Sequence, residues 1–154
     1  MDNNKKISIS NGGDYNLFCR FDKSLNLEKI KNDFSEHNIK VEYKMNEDDM
    51  WVSLYDSADE QIGIMSEKYN FDNEYQNEMI EDYIEDFGNN DGIIDLLRKV
   101  NSNYYFKANS YRESVLVYIL AYLLSEQTDV LLYDCYNGCY LDKNKLNSIL
   151  EEKN

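Results

Sequence analysis

Apolar and polar residues alternate over residues 15–21, with Tyr15, Leu17, Cys19 and Phe21 on one side and Asn16, Phe18 and Arg20 on the other. A period of two predicts a half-buried strand. The period then lengthens. Leu27, Ile30 and Phe34 fall on one stripe of a helix that Ser24 or Asn26 can cap and that ends near Asn38. Val41, Tyr43 and Met45 alternate with Glu42 and Lys44, Met50, Val52 and Leu54 continue the pattern, and Ile62 and Ile64 follow a polar turn at 56–60. The opening therefore reads β-α-β-β-β.

Asp72 can cap a helix in which Tyr75, Met79, Tyr83 and Phe87 recur every four residues beside Ile80 and Ile84, and residues 88–90, Gly-Asn-Asn, end it. A short helix over 93–100 and a strand over 104–108 follow. Ser110 and Glu113 then form a capping-box pattern ahead of Val115, Leu116, Ile119, Leu120, Leu123 and Leu124, a broad apolar face. Residues 130–142 fold back around Asn137-Gly138, a strong hairpin signal, and 143–153 make a terminal helix with Leu146, Ile149 and Leu150. The class this predicts is α+β: one antiparallel sheet with helices packed on one face, the strand-helix-strand segments at both ends resembling two ferredoxin-like halves. Without proline and with only six glycines, no linker tract is visible, so 1–154 is expected to be one domain.

Composition narrows the function. Hydrophobic residues at 42% and aromatics at 14% are too many for a disordered acidic tail. Thirty acids against 16 bases give a net charge of -14, which excludes nucleic-acid binding by charge, because a phosphate-binding surface must supply cations. The excess is local. Residues 47–95 hold sixteen carboxylates and one base, Lys68, whereas the rest of the chain holds fourteen acids and fifteen bases. The longest apolar stretch, 115–124, is too short to cross a bilayer, and Lys5 and Lys6 precede no apolar run of a signal peptide. Three cysteines, an odd number, suit a reducing cytoplasm better than a disulfide framework.

Catalytic and metal constellations are hard to assemble from this chain, and no cofactor is implied. His37 is the only histidine, and Cys19, Cys135 and Cys139 contain no CxxC pair. A two-residue Asn137-Gly138 turn would pair Tyr136 with Cys139 and Cys135 with Tyr140, placing the two hairpin cysteines on opposite faces. Residues 88–95 superficially resemble a calcium loop, but its first and last ligand positions would be Phe87 and Arg98. Glu47, Asp48 and Asp49 could chelate a divalent cation in a metal-dependent hydrolase, yet no basic or Gly-rich phosphate cradle accompanies them.

The acidic helix carries the strongest signal. Glu74, Glu78, Glu81, Asp82, Glu85 and Asp86 project from thirteen residues, or about 18 Å of axis, a charge about every 3 to 4 Å. The phosphates of one DNA strand are spaced by about 3.4 Å. Like charges four apart destabilise a helix, and no Lys or Arg within this one relieves them. The plain alternative is a solvated face that keeps the protein soluble; the functional one is a docking surface for a basic protein. Fourteen tyrosines add a second signal, because Tyr136 and Tyr140 near the hairpin tip have the wrong parity for burial and would suit an interface.

The segment 111–142, with its Ser-x-x-Glu cap, apolar run, Val130-Leu131-Leu132-Tyr133-Asp134 and Asn137-Gly138 turn into Tyr140, resembles the ends of several bacterial immunity-protein families that neutralise polymorphic or contact-dependent toxins. The resemblance covers about a fifth of the chain and implies stoichiometric inhibition of a nuclease-like or other basic toxin domain. The expectation is a non-enzymatic inhibitor that binds a basic partner through Glu74, Glu78, Glu81, Asp82, Glu85, Asp86, Tyr136 and Tyr140, without nucleic acid, membrane, metal or catalytic residues. The alternative is a phage-encoded anti-defence protein of the anti-CRISPR type, acting as a nucleic-acid mimic on a bacterial effector. A homodimer through an edge strand or the hairpin is compatible with either.

Overall fold

The computed structural model describes residues 7–47, 49–55, 61–64, 68–70, 72–89 and 91–153. Five strands form an antiparallel sheet in the order β5 (Lys68–Asn70), β6 (Ser102–Ala108), β1 (Gly13–Cys19), β7 (Val130–Asp134), β8 (Cys139–Leu141). A second antiparallel sheet is built from β2 (Lys40–Met45), β3 (Met50–Tyr55) and β4 (Gln61–Ile64). Helices α1 (Leu27–Ser35), α2 (Asn73–Phe87), α3 (Asp91–Lys99), α4 (Tyr111–Ser125) and α5 (Lys143–Lys153) complete an α+β fold. Because β1 is antiparallel to both β6 and β7, the β6-α4-β7 crossover straddles it, a split β-α-β unit of ferredoxin-like type. Strand β5 carries no sequence signal: three residues are too few to establish an alternation.

Two expectations about the sheets are corrected. Helices cover both faces of the large sheet, not one. Tyr15, Leu17 and Cys19 point into the main core with α1, α4 and α5, while Phe18 and Leu131 point the other way, into a second cluster with α2 and α3. Successive side chains on a strand alternate in direction, so the unbroken apolar run Val130, Leu131, Leu132 requires cover on both sides.

The two strand-helix-strand halves also do not share a sheet. Helix α4 buries Val115, Leu116, Val117, Tyr118, Leu120, Ala121 and Leu124, which surround its axis, and a helix apolar all round must be enclosed. The small sheet, through Val41, Val52 and Leu54, helps to enclose the core that α4 enters, together with Leu27, Ile30 and Phe34 of α1. The Tyr104 hydroxyl fastens the two sheets by donating to Asp49 Oδ1 at 2.8 Å in the β2–β3 turn.

The helix caps agree with the sequence more closely. Asn26, rather than Ser24, caps α1 by accepting the Lys29 N–H at 3.1 Å, and Asn38 closes the helix at φ 62°. Ser110 Oγ accepts the Glu113 N–H at 3.2 Å, while the Glu113 carboxylate returns to Ser110 Oγ and the Asn109 N–H. The hairpin register differs from the two-residue frame: Asp134 pairs with Cys139 and Tyr133 with Tyr140, leaving a four-residue turn over 135–138. Asp134 imposes it. Its fully buried carboxylate accepts the Asn137 N–H at 3.0 Å, Asn137 Nδ2 at 2.8 Å and the Tyr118 hydroxyl, while its carbonyl accepts the Gly138 N–H at 2.8 Å. A buried carboxylate is costly unless fully bonded, so this set of donors outweighs the Asn-Gly turn preference.

Candidate protein-binding surface

Helix α2 begins where Asp72 Oδ1 accepts the Tyr75 N–H at 2.8 Å and stops at Gly88, whose φ of 83° ends the ladder. Its buried residues are Met79, Ile80 and Tyr83. Gln76 fixes it to its neighbour by donating from Nε2 to the Leu97 carbonyl of α3 at 2.8 Å. Glu74, Glu78, Glu81, Asp82, Glu85 and Asp86 are all exposed and, at 3.6 residues per turn, share an arc of about 140°. Among the described residues none of these six carboxylates is ion-paired. The side chain of Ile84, 42% exposed, lies on the solvent side of the same helix.

Beneath the C-terminal half of α2 lies an aromatic stack. Tyr83 and Phe87 stack at 5.1 Å, and Tyr140 meets Tyr83 at 5.5 Å, Phe87 at 6.5 Å, Phe18 at 6.1 Å and Tyr133 at 4.7 Å. Tyr140 is therefore half-buried, not exposed as its parity suggested, and it is the ring on which α2 rests. Desolvation raises its phenol well above the ordinary tyrosine range, with Tyr133 and the Asp82 carboxylate adding to the shift. Tyr136 is the tyrosine that does project, 74% exposed. It borders an open depression with Ser8, Ile9, Ser10, Asn11, Gly12 and Asn137, none of them part of the aromatic stack.

On the α2 side, the large sheet passes from covered to open in successive cross-strand rows. Asn103, Phe18 and Leu131 form a buried row under α2 and α3. The next, Tyr105, Asn16, Tyr133 and Tyr140, is half-buried. Beyond it Lys107 and Asp14 are paired and exposed, with Cys135 beside them. The Tyr105 hydroxyl donates to Asp14, a bond that, with some desolvation, pushes its phenol up to about 12. Tyr133 and Tyr140 pack against the cluster that Met79, Ile80 and Tyr83 of α2 bury, so the acidic helix borders this row; desolvation raises the Tyr133 phenol, with Asp86 among the neighbouring charges that add to it. Composition did not single out these residues; their parity with Phe18 and Leu131 is the signal that locates them.

The other candidates separate. Asp49 is occupied structurally by Tyr104 and the Met50 N–H, Glu47 is exposed, and Asp48 lies outside the described residues. Among the described residues no group of three or more His, Cys, Asp or Glu is placed to hold a metal ion. In the calcium-like segment α2 ends at Gly88 and α3 starts at Asp91; Asn90 lies outside the described residues. Cys19 is buried, Cys135 is exposed in the turn and Cys139 is half-buried, and none of the three is in a disulfide. Among the described residues no helix is long and apolar enough to cross a membrane.

Comparison with protein-family models, with curated proteins and with solved structures finds no match for this chain.

Proposed function

We propose that the protein is a non-enzymatic inhibitor that blocks a basic protein through the acidic face of α2, in the manner of an immunity protein neutralising a nuclease-like toxin. One observation carries the reading: six carboxylates are held outward on one side of a single helix, without a cation among the described residues to neutralise them. Charge needed only for solubility would be less costly if interspersed with bases, because each like-charge pair four residues apart costs a few tenths of a kcal/mol, on the order of 0.2–0.5. A concentrated negative face instead accelerates encounter with a positive cleft and fixes the register of docking. Such a cleft is what a nuclease domain presents to phosphates, so the inhibitor would compete with the nucleic acid.

The test uses wild type and the triple variant Glu78→Lys, Asp82→Lys, Asp86→Lys as paired baits in the native host. The captured protein is then purified and titrated calorimetrically at low and high salt. The expected result is a partner held by wild type and lost by the variant, with affinity falling as salt rises and stoichiometric loss of the partner's activity. Equal affinity for both forms, with the variant folded, refutes the proposal.

A further inference from the structure

Resting on that reading, we propose that the half-open row of the large sheet beside α2 is the seat for an arginine-bearing segment of the basic partner. The site comprises Tyr105, Asn16 and Tyr133, with Asp14 at one end and Asp86 at the other. Backbone register places the first three side by side: Asn16 is the direct partner of Tyr105 on β6 and of Tyr133 on β7. Adjacent strands lie about 4.8 Å apart, so the two tyrosines flank Asn16 across about 10 Å. Helices α2 and α3 bury the preceding row and leave this one half-exposed, which makes a ledge with α2 as its wall.

Charge complementarity selects the occupant. Asp86 projects from α2, whose buried cluster Tyr133 packs against, and its charge is felt at the Tyr133 phenol; Asp14 lies at the open end, with Lys107 the cation opposite it. A floor of phenol rings between carboxylates suits a planar cation that stacks and donates in its plane at the same time. Guanidinium does both, whereas an ammonium is a compact, strongly hydrated point charge. Asn16 Nδ2 donates to Cys135 Sγ at 3.7 Å, leaving its carbonyl oxygen as an acceptor in the middle of the row. The Tyr105–Asp14 hydrogen bond restrains Tyr105 before any partner arrives, so less rotamer freedom is lost on binding.

The experiment titrates the full-length protein with an oligoarginine peptide and with an oligolysine peptide of equal length, followed by calorimetry and by the amide and tyrosine-ring resonances. Oligoarginine is expected to bind more tightly, by about two- to fivefold for each ring engaged, and to shift Asn16, Tyr105 and Tyr133 together with α2. Tyr105→Leu should remove that preference. Asp14→Asn, which retains an acceptor for the Tyr105 hydroxyl and alters only an exposed side chain, should weaken oligoarginine binding if Tyr105→Leu fails to fold. Equal affinities with shifts confined to α2 overturn the arginine seat and leave the acidic-face reading standing. Equal binding by the α2 triple-lysine variant, with shifts scattered over the surface, overturns both. Concentration-dependent shifts of the same row without peptide would assign it to a second copy of the chain and also overturn the seat.

Discussion

Replacing Asp82 by lysine should make the protein more stable. Asp82 is exposed in the middle of α2, with Glu78 four residues before it, Asp86 four after and Glu85 three after. The substitution turns three repulsive neighbours into three attractive ones. At about 0.2–0.5 kcal/mol per pair of either sign, the swing is about 0.4–1 kcal/mol per pair and about 1–3 kcal/mol for three. Lysine is also a better helix former than aspartate by a few tenths of a kcal/mol. Allowing for screening and for the less favourable orientation of the lysine-to-Asp86 pair, a gain of about 1–2 kcal/mol is expected at low salt. For a chain of this size that raises Tm by about 3–6 °C. Urea and thermal unfolding followed by circular dichroism, with wild type and variant side by side, measure it. Repetition at about 1 M salt, where the Debye length is about 3 Å, separates the causes. The electrostatic part should shrink and the propensity part persist. No gain at low salt, or a gain that salt leaves untouched, would refute the claim that α2 carries its charge against its own stability. That claim motivates a binding role, since stability forgone at a surface is a common cost of function.

Tyr118→Phe removes one donor from the buried Asp134 carboxylate and should cost about 1.5–3 kcal/mol, read from the urea midpoint; a neutral result would mean that Asp134 does not depend on this bond. Tyr83→Ala should open α2 and α3 before the rest, because their cluster is separate from the main core: hydrogen exchange is expected to lose protection in α2 while β1 and α4 keep theirs, and uniform loss would contradict it. Burial raises the phenols of Tyr15, Tyr83, Tyr104, Tyr118 and Tyr140. A raised folded value contributes stability that is fully present below the unfolded value near pH 10 and lost as pH rises through the folded values. Tyrosinate absorbance should therefore lag behind fourteen free phenols and catch up only as the circular dichroism collapses; reversible titration of all fourteen as one class, with the fold intact, would contradict it.

Local physics was legible in the sequence and tertiary choice less so. Asp72, Asn26 and the Ser110–Glu113 pair cap their helices because a short polar side chain ahead of an apolar stripe has one good use. The acidic face was equally readable, since residues that are all charged on one side of a helix have nowhere to go but water. The two-sided sheet is hard to see in the alternation over 15–21, where Phe18 stands among polar residues, although Leu131 between Val130 and Leu132 carries the same message. The hairpin register depended on Asp134, whose hold on the turn comes from Tyr118 on α4 as well as from Asn137. The six carboxylates could thus be located from spacing alone, whereas Tyr140 as a support and Tyr105, Asn16 and Tyr133 as a ledge required the strand register.

The way α2 is attached explains how it can bear so much like charge. Its acids cost about 1–2 kcal/mol through four pairs spaced by four residues. Its buried Met79, Ile80 and Tyr83 each contribute about 1.5–3 kcal/mol on burial. The anchoring therefore exceeds the repulsion several-fold, and it comes from side chains opposite the charged arc, so either side can change without disturbing the other. Tyr140 extends this support because its ring touches Tyr83, Phe87, Phe18 and Tyr133 at once, joining helix to sheet. The same ring closes the half-open row at the edge strand β8, so the charged helix and the row beside it share one support. Under the proposal made above, a basic partner held by the carboxylates would find this row next to them, because the same ring supports both.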